Sequence, residues 1–95
     1  MDNEPTLTID EYDTKEWWLK GKRHRVDGPA IEHTNGAKAW WLNGKRHRVD
    51  GPAIERHNGT KEWWLNGYHH EFDDWLKANS LISEEEKLMM KLTYG

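Results

Sequence analysis

Tryptophan doublets recur at a constant interval along the chain, beginning at Trp17, Trp40 and Trp63. The segments 17–39 and 40–62 are nearly identical and differ only at the paired positions 20/43, 33/56, 34/57, 37/60 and 39/62. A period of this length indicates stacked supersecondary units, each burying its apolar side against its neighbours. The interval therefore predicts one domain built as a repeat array.

Each unit has the pattern of two short strands separated by tight turns. Lys38–Leu42 is aromatic and apolar and too short for a helix. Asn43-Gly44 follows it, and this pair accepts the positive φ angles of a type I′ hairpin turn. Asp50-Gly51-Pro52 is unsuited to a strand interior, because proline lacks an N–H donor and glycine costs entropy. Ala53–His57 is then the second strand, and Asn58-Gly59 the second hairpin turn.

The predicted fold is mainly β, an antiparallel meander of β-hairpin repeats with two short C-terminal α-helices as a cap. We expect a single domain over residues 1–95. Its parts are an N-terminal capping half-repeat (1–16), two full repeats (17–39 and 40–62), a partial repeat (63–70) and a helical cap (71–95).

The C-terminal quarter of the chain has helical patterns. Phe72–Asn79 carries apolar residues at helical spacing. Ser83-Glu84-Glu85-Glu86 has the form of a capping box, and the acidic first turn favours a helix start. Leu88, Met89 and Leu92 would give the second helix its apolar side. We expect both helices to cover the free edge of the last strand.

Composition limits the classes of function. The 95 residues include no cysteine, which leaves no disulfide framework or thiolate metal site. The acidic start Met1–Pro5 and the lack of an apolar run of about 18 residues argue against a signal peptide or membrane span, so a cytoplasmic location is expected. The net charge of −3 does not favour a general nucleic-acid binder.

The repeat resembles the MORN repeat, which has the same length and has tryptophan, glycine and Gly-x-x-His in similar places. The matching residues are Trp41–His47 and, in the first copy, Trp18–His24. The following His-Arg-x-Asp-Gly-Pro-Ala pattern, at 24–30 and 47–53, is similar to a variant found in small proteins of tailed phages. The resemblance covers residues 14–67. It implies a β-hairpin array, with roles in protein assembly and, for some members, lipid binding.

The two tryptophans of each doublet should face opposite sides of the sheet, because side chains alternate along a strand. Trp17, Trp40 and Trp63 would then form the core. The second face would carry Trp18, Trp41 and Trp64. That face is either covered by the helices or by sheet curl, or it is an exposed aromatic patch that binds a partner.

Basic segments recur at Lys22–Arg25 and Lys45–Arg48, and stacking would align them roughly 9.5 Å apart. Such rows suit phosphate. The structural alternative is pairing with the acidic residues that recur at the same period, namely Asp27, Glu32, Asp50 and Glu55. Arg25 and Arg48 lie nearest the Asp-Gly-Pro corner and are expected to anchor the fold.

No nucleophile–base pair or metal-ligand spacing stands out, so no catalytic residue, metal or cofactor is predicted. The leading hypothesis is a non-enzymatic protein-binding module, a small phage-type protein that modulates or inhibits a host protein such as a defence component. The alternatives are a sequestering protein for a small anion such as a nucleotide, and a structural assembly protein. Membrane spanning and nucleic-acid binding are not expected, and self-association is open. The candidate binding residues are Trp18, Trp41, Trp64, Arg23, Arg46, Lys22, Lys45 and Tyr68.

Overall fold

The computed structural model describes residues 4–95, so the first three residues of the predicted N-terminal half-repeat lie outside it. The described chain contains ten strands and two helices. The strands are β1 (Thr6–Ile9), β2 (Lys15–Leu19), β3 (Lys22–Arg23), β4 (Ile31–Glu32), β5 (Lys38–Ala39), β6 (Trp41–Leu42), β7 (Lys45–Arg46), β8 (Ile54–Glu55), β9 (Lys61–Leu65) and β10 (Tyr68–His70). The helices are α1 (Phe72–Ala78) and α2 (Glu84–Tyr94).

The strands form an antiparallel meander, as the repeat pattern predicts. The main sheet has the order β1-β2-β4-β5-β8-β9-β10, with β3 paired to β2, while β6 and β7 form a two-stranded ladder. Backbone bonds join the hairpins of successive copies, because the N–H of Gly44 donates to the carbonyl of Arg23 and that of Gly67 to Arg46. The period of the tryptophan doublets thus becomes a physical stack of hairpins.

Two kinds of turn alternate along the stack. In the first, Asn43 and Gly44 have φ angles of 52° and 81°, which confirms the type I′ turn. The turn at Asn58-Gly59 differs, because only Gly59 has a positive φ and its N–H donates to the carbonyl of Arg56. The N–H of Arg56 also donates to the carbonyl of Thr60, so three residues, 57–59, form this loop and it is longer than a two-residue hairpin loop.

The predicted strand Lys38–Leu42 is interrupted at Trp40, which separates β5 from β6. The equivalent segments of the flanking copies, β2 and β9, remain continuous. Trp40 keeps its backbone bonded nonetheless, since its N–H donates to the carbonyl of Ala53 and its carbonyl accepts from His47. The ladder is interrupted at Trp40, but this residue makes the same two backbone hydrogen bonds as Trp17 in the continuous strand β2.

The apolar core lies at the C-terminal end of the stack. Trp63 packs with its ring centroid 4.7 Å from those of both Trp75 and Phe72. Leu76 and Ile82 complete the buried cluster, whose flanks are partly buried Leu65, Phe72, Met90 and Tyr94. The helices therefore cover one face of the last repeat. β10 is the end strand of the sheet and pairs with β9, and α1 contacts β10, so the expectation that the helices cover its free edge stays a prediction.

The predicted apolar side of α2 is wrong. Leu88, Met89 and Leu92 are exposed, whereas Met90 and Tyr94 face the core. Both sets have helical spacing, so sequence alone does not decide which side docks. The capping box is confirmed, with Glu86 N–H donating to Ser83 and Ser83 N–H donating to Glu86.

The prediction that all three first tryptophans form the core holds only for Trp63, which is 7% exposed. Trp17 and Trp40 are half-buried and lie outside the core that the helices complete. An arginine covers each of them instead. The guanidinium of Arg25 lies 3.8 Å from the ring centroid of Trp17, and Arg48 lies 3.8 Å from Trp40.

Candidate functional site

The arginine of the Asp-Gly-Pro corner is a structural anchor. Nε of Arg48 donates to Asp50 at 2.9 Å, and Nη1 donates to the carbonyl of Pro52 at 3.0 Å and to Glu55 at 3.1 Å. Copy one repeats this set of bonds around Arg25. The expected anchoring role of these two arginines therefore has a geometric basis, and it removes both from the candidate binding surface.

The glycine of the corner is explained by the same arginine. Gly51 does not have a positive φ, so turn conformation does not require it. A Cβ atom at Gly51 would lie 2.7 Å from Cζ of Arg48, and one at Gly28 would lie 3.0 Å from Cζ of Arg25. The motif Arg-x-Asp-Gly-Pro-Ala thus contains the anchoring arginine, two of its acceptors, and a glycine that leaves room for the guanidinium.

The repeated histidines join one copy to the next. The backbone N–H of Asn43 donates to Nδ1 of His24 at 2.9 Å, and that of Asn66 donates to Nδ1 of His47 at 2.9 Å. A backbone N–H can only donate, so Nδ1 must be unprotonated in each ring. Burial lowers the pKa of His47, which favours the same neutral form. These histidines hold the stack together, and their Nδ1 atoms cannot donate to a phosphate.

The opposite face of the sheet carries alternating aromatic and cationic side chains. The guanidinium of Arg23 lies 5.0 Å from the ring of Trp18 and 5.4 Å from that of Trp41. Arg46 lies 5.2 Å from Trp41 and 5.0 Å from Trp64. We call these five residues the tryptophan–arginine ladder. The arginines fill the spaces between tryptophans two strands apart, so the second face is neither an open aromatic patch nor covered by the helices.

The C-terminal half of the ladder borders a surface pocket of about 450 Å³. Its lining combines aromatic rings, two cationic side chains and two hairpin turns, namely Trp41, Gly44, Lys45, Arg46, Trp64, Asn66, Gly67 and Tyr68. Tyr68 is 73% exposed at the rim. This pocket brings together five of the eight residues predicted from sequence, and it is the candidate functional site.

The other three predicted residues, Trp18, Lys22 and Arg23, lie outside this pocket. Copy one ties down its tryptophan and its arginine. The indole N–H of Trp18 donates to Thr8 at 3.1 Å, and Nε of Arg23 donates to Glu16 at 3.0 Å. In this part of the ladder, the tryptophan and the arginine therefore already have hydrogen-bond acceptors.

Copy two lacks the acceptors that its neighbours have. Trp41 Nε1 and Arg46 Nε are both buried, and no group in residues 4–95 accepts a hydrogen bond from either. The residue immediately before the tryptophan doublet is Glu16 at Trp17 and Glu62 at Trp63, but it is Ala39 at Trp40. This difference is visible in the sequence, but its meaning depends on the side chains that lie beside it.

In copy three the acceptor is in use. Burial acts to raise the pKa of Glu62, but hydrogen bonds from Trp64 and Arg56 outweigh it, and the pKa is lowered. The Trp64 indole N–H donates to Glu62 at 3.0 Å, and Arg56 pairs with the same carboxylate at 2.6 Å. Glu62 is thus an ionised acceptor with its partners already in place.

Two further findings concern the described residues alone. Within residues 4–95, no group of three or more His, Asp or Glu side chains could hold a metal ion. Neither helix of that segment has the length and apolar character to cross a membrane. The absence of a cofactor and of an enzymatic activity stays a prediction.

Comparisons of this chain with protein-family models, with curated proteins and with solved structures found no match. The resemblance to the MORN repeat and to its phage variant therefore stays a prediction. The hairpin array that it implies agrees with the observed meander.

Proposed function

We propose that this chain is a non-enzymatic protein-binding module that uses the pocket beside the second and third repeats. The observation that carries the proposal is the convergence of Trp41, Trp64, Arg46 and Tyr68 around one concave surface. Tryptophan, tyrosine and arginine are the side chains that most often dominate protein–protein binding energy. Hairpins bonded to one another hold them in place, so little order has to be gained on binding.

The pairing of the arginines makes a small anion the weaker candidate. Salt bridges already engage Arg23 with Glu16, Arg25 with Glu32 and Arg48 with Glu55. An anion that lay between the two basic rows would have to displace these carboxylates. Lys45 and Arg46, which line the pocket, suit the polar rim of a protein interface.

On the repeat resemblance, we propose that the partner is a host protein, such as a defence component, which this small phage-type protein modulates in the bacterial cytoplasm. The repeat pattern supports the phage origin, and the aromatic and cationic pocket supports the protein partner. The two parts are independent, so a partner of another origin would leave the binding role intact.

Affinity capture with matched variants tests the binding role. The tagged chain is used as bait in bacterial lysate beside Lys45→Glu and its repeat counterpart Lys22→Glu. Both lysines are exposed and follow a hairpin turn, but only Lys45 lines the pocket. A partner that uses the pocket is retained by wild type and Lys22→Glu, and lost by Lys45→Glu and Tyr68→Ser.

The exposed apolar side of α2, which includes Leu88 and Leu92, is the competing docking site. A partner that survives Lys45→Glu and Tyr68→Ser but is lost in Leu88→Ser with Leu92→Ser docks on the helix. That outcome would contradict the proposed use of the pocket.

A further inference from the structure

We propose that the second repeat binds a carboxylate side chain of its partner, so that an aspartate or glutamate of an acidic segment occupies the place that Glu16 and Glu62 fill in the neighbouring repeats. This inference rests on the proposed protein-binding role and names the chemistry of the partner. The starting point is the pair of buried donors, Arg46 Nε and Trp41 Nε1, that have no acceptor within residues 4–95.

A buried donor without an acceptor is costly, and native proteins contain few of them. Two such donors on neighbouring side chains of one repeat therefore indicate a missing group. Trp41 and Arg46 are directly opposite one another in the β6–β7 ladder, so both donors belong to one cross-strand pair. A single acceptor group beside that pair could satisfy both of them.

The flanking repeats show which group this is. In copy one, a carboxylate oxygen of Glu16 accepts from the Nε of Arg23, the counterpart of Arg46. In copy three, a carboxylate oxygen of Glu62 accepts from the indole of Trp64, the counterpart of Trp41. Each donor of copy two thus has a carboxylate partner in one neighbouring copy. A carboxylate has two oxygens and only accepts, so one such group suits both donors.

The sheet register places the opening at Ala39. Ala39 lies directly opposite Ile31 on one side and Ile54 on the other, and it projects to the same face as Trp41 two residues later. Its side chain ends at Cβ, so it does not fill the volume that a glutamate side chain takes in the other copies. Both donor atoms are buried in the free chain, so the side chains of Trp41 and Arg46 must shift to admit an incoming carboxylate. The surrounding charge also favours an acid, because Lys45 and Arg46 line the adjacent pocket.

The described part of the chain, residues 4–95, offers no substitute acceptor. The acidic residues nearest along the repeats are engaged, with Glu32 and Glu55 bound to Arg25 and Arg48, and Glu62 bound to Arg56. The inference therefore takes the carboxylate from another molecule. The pocket beside it would hold the neighbouring residues of the same partner segment.

The test uses the peptide acetyl-Gly-Glu-Gly-amide as probe and acetyl-Gly-Gln-Gly-amide as its uncharged match. Binding is followed by NMR through the indole N–H of Trp41 and the Nε–H of Arg46. The glutamate peptide should shift both signals in a saturable way. The glutamine peptide should bind about tenfold more weakly, because charge-assisted hydrogen bonds are the stronger class. A wild-type chain whose two signals do not respond to the glutamate peptide would overturn the inference, as would equal responses to both peptides.

The variant Ala39→Glu supplies the carboxylate from within the chain. It should fold with an unchanged or higher Tm, and it should lose the response to the glutamate peptide. Thr34→Glu adds the same charge at an exposed turn position and should respond like wild type. If Ala39→Glu does not fold, the comparison of the two peptides on wild type still decides the question.

The outcomes separate this inference from the proposed function. A captured partner that depends on Tyr68 and Lys45 but binds equally well to Ala39→Glu would overturn the carboxylate site and leave the binding pocket in place. A partner that depends on none of these residues would contradict both.

Discussion

Replacing Arg48 with alanine should destabilise the fold far more than the same change two residues earlier. The side chain of Arg48 is only 19% exposed and has three polar acceptors besides the ring of Trp40. The contacts with Glu55 and the carbonyl of Pro52 are charge-assisted and partly buried, worth about 1–1.5 kcal/mol each. The contact with Asp50 contributes under about 0.5 kcal/mol, because that carboxylate is 72% exposed. The stack on Trp40 adds about 1 kcal/mol.

The expected loss is therefore about 3–4 kcal/mol, a large share of the roughly 5–15 kcal/mol that stabilises a domain. Arg46→Ala is the matched control, since Arg46 also lies over tryptophan rings but its buried Nε has no acceptor in residues 4–95. Its removal also removes an unsatisfied buried donor, so the net change should stay within about 1 kcal/mol.

Urea unfolding followed by tryptophan fluorescence gives both free energies under the same conditions. Arg48→Lys should recover less than half of the loss, because an ammonium group cannot reach all three acceptors or stack as a plane. Anchoring by Arg48 is refuted if Arg48→Ala costs less than about 1 kcal/mol, or if Arg46→Ala costs as much as Arg48→Ala.

Three further predictions address the corner, a turn and the stack. Gly51→Ala should lower the free energy of unfolding by about 1–3 kcal/mol in the wild type and by clearly less in the Arg48→Ala background, as measured by a double-mutant cycle in urea. Lys20 has a φ of 52°, a left-handed conformation that is strained for lysine and easier for asparagine. Lys20→Asn should therefore raise the free energy of unfolding by up to about 1 kcal/mol, and an unchanged or lower value would contradict this backbone strain. The free energy of unfolding should fall as pH drops below 6.5, because the lowered pKa of His47 means that the unfolded chain takes up the proton first. His47→Asn, which keeps an acceptor for Asn66 N–H, should flatten that fall, and an unaltered pH profile would count against the histidine link.

Local signals in the sequence were sufficient for the architecture. The constant interval between tryptophan doublets predicts the stacked hairpins, Asn43-Gly44 predicts its turn, and Ser83 with Glu86 predicts the start of α2, all of which are confirmed. Each of these features depends on backbone conformation over a few residues. Such features repeat with the sequence, so they can be read without knowing how distant segments pack.

The features that were missed depend on how side chains pack against one another in the folded chain. The exposed side of α2 could not be assigned, because Met90 and Tyr94 share helical spacing as well as Leu88 and Leu92 do. The clearance role of Gly51 requires the path of an arginine side chain. The difference between Ala39 and its glutamate counterparts is plain in the sequence, yet only the geometry of the neighbouring donors gives it a chemical meaning.

The central claim is that the two faces of the stack have separate tasks, with Arg48 holding the fold and Arg46 meeting a partner. The most direct test is calorimetric binding of the captured partner to Arg46→Ala and to its repeat counterpart Arg23→Ala, each with its free energy of unfolding. We predict that Arg46→Ala weakens binding by at least about tenfold, or roughly 1.4 kcal/mol, at near wild-type stability, while Arg23→Ala binds almost normally. Equal affinities for the two variants, or a loss of affinity that only follows unfolding, would contradict it.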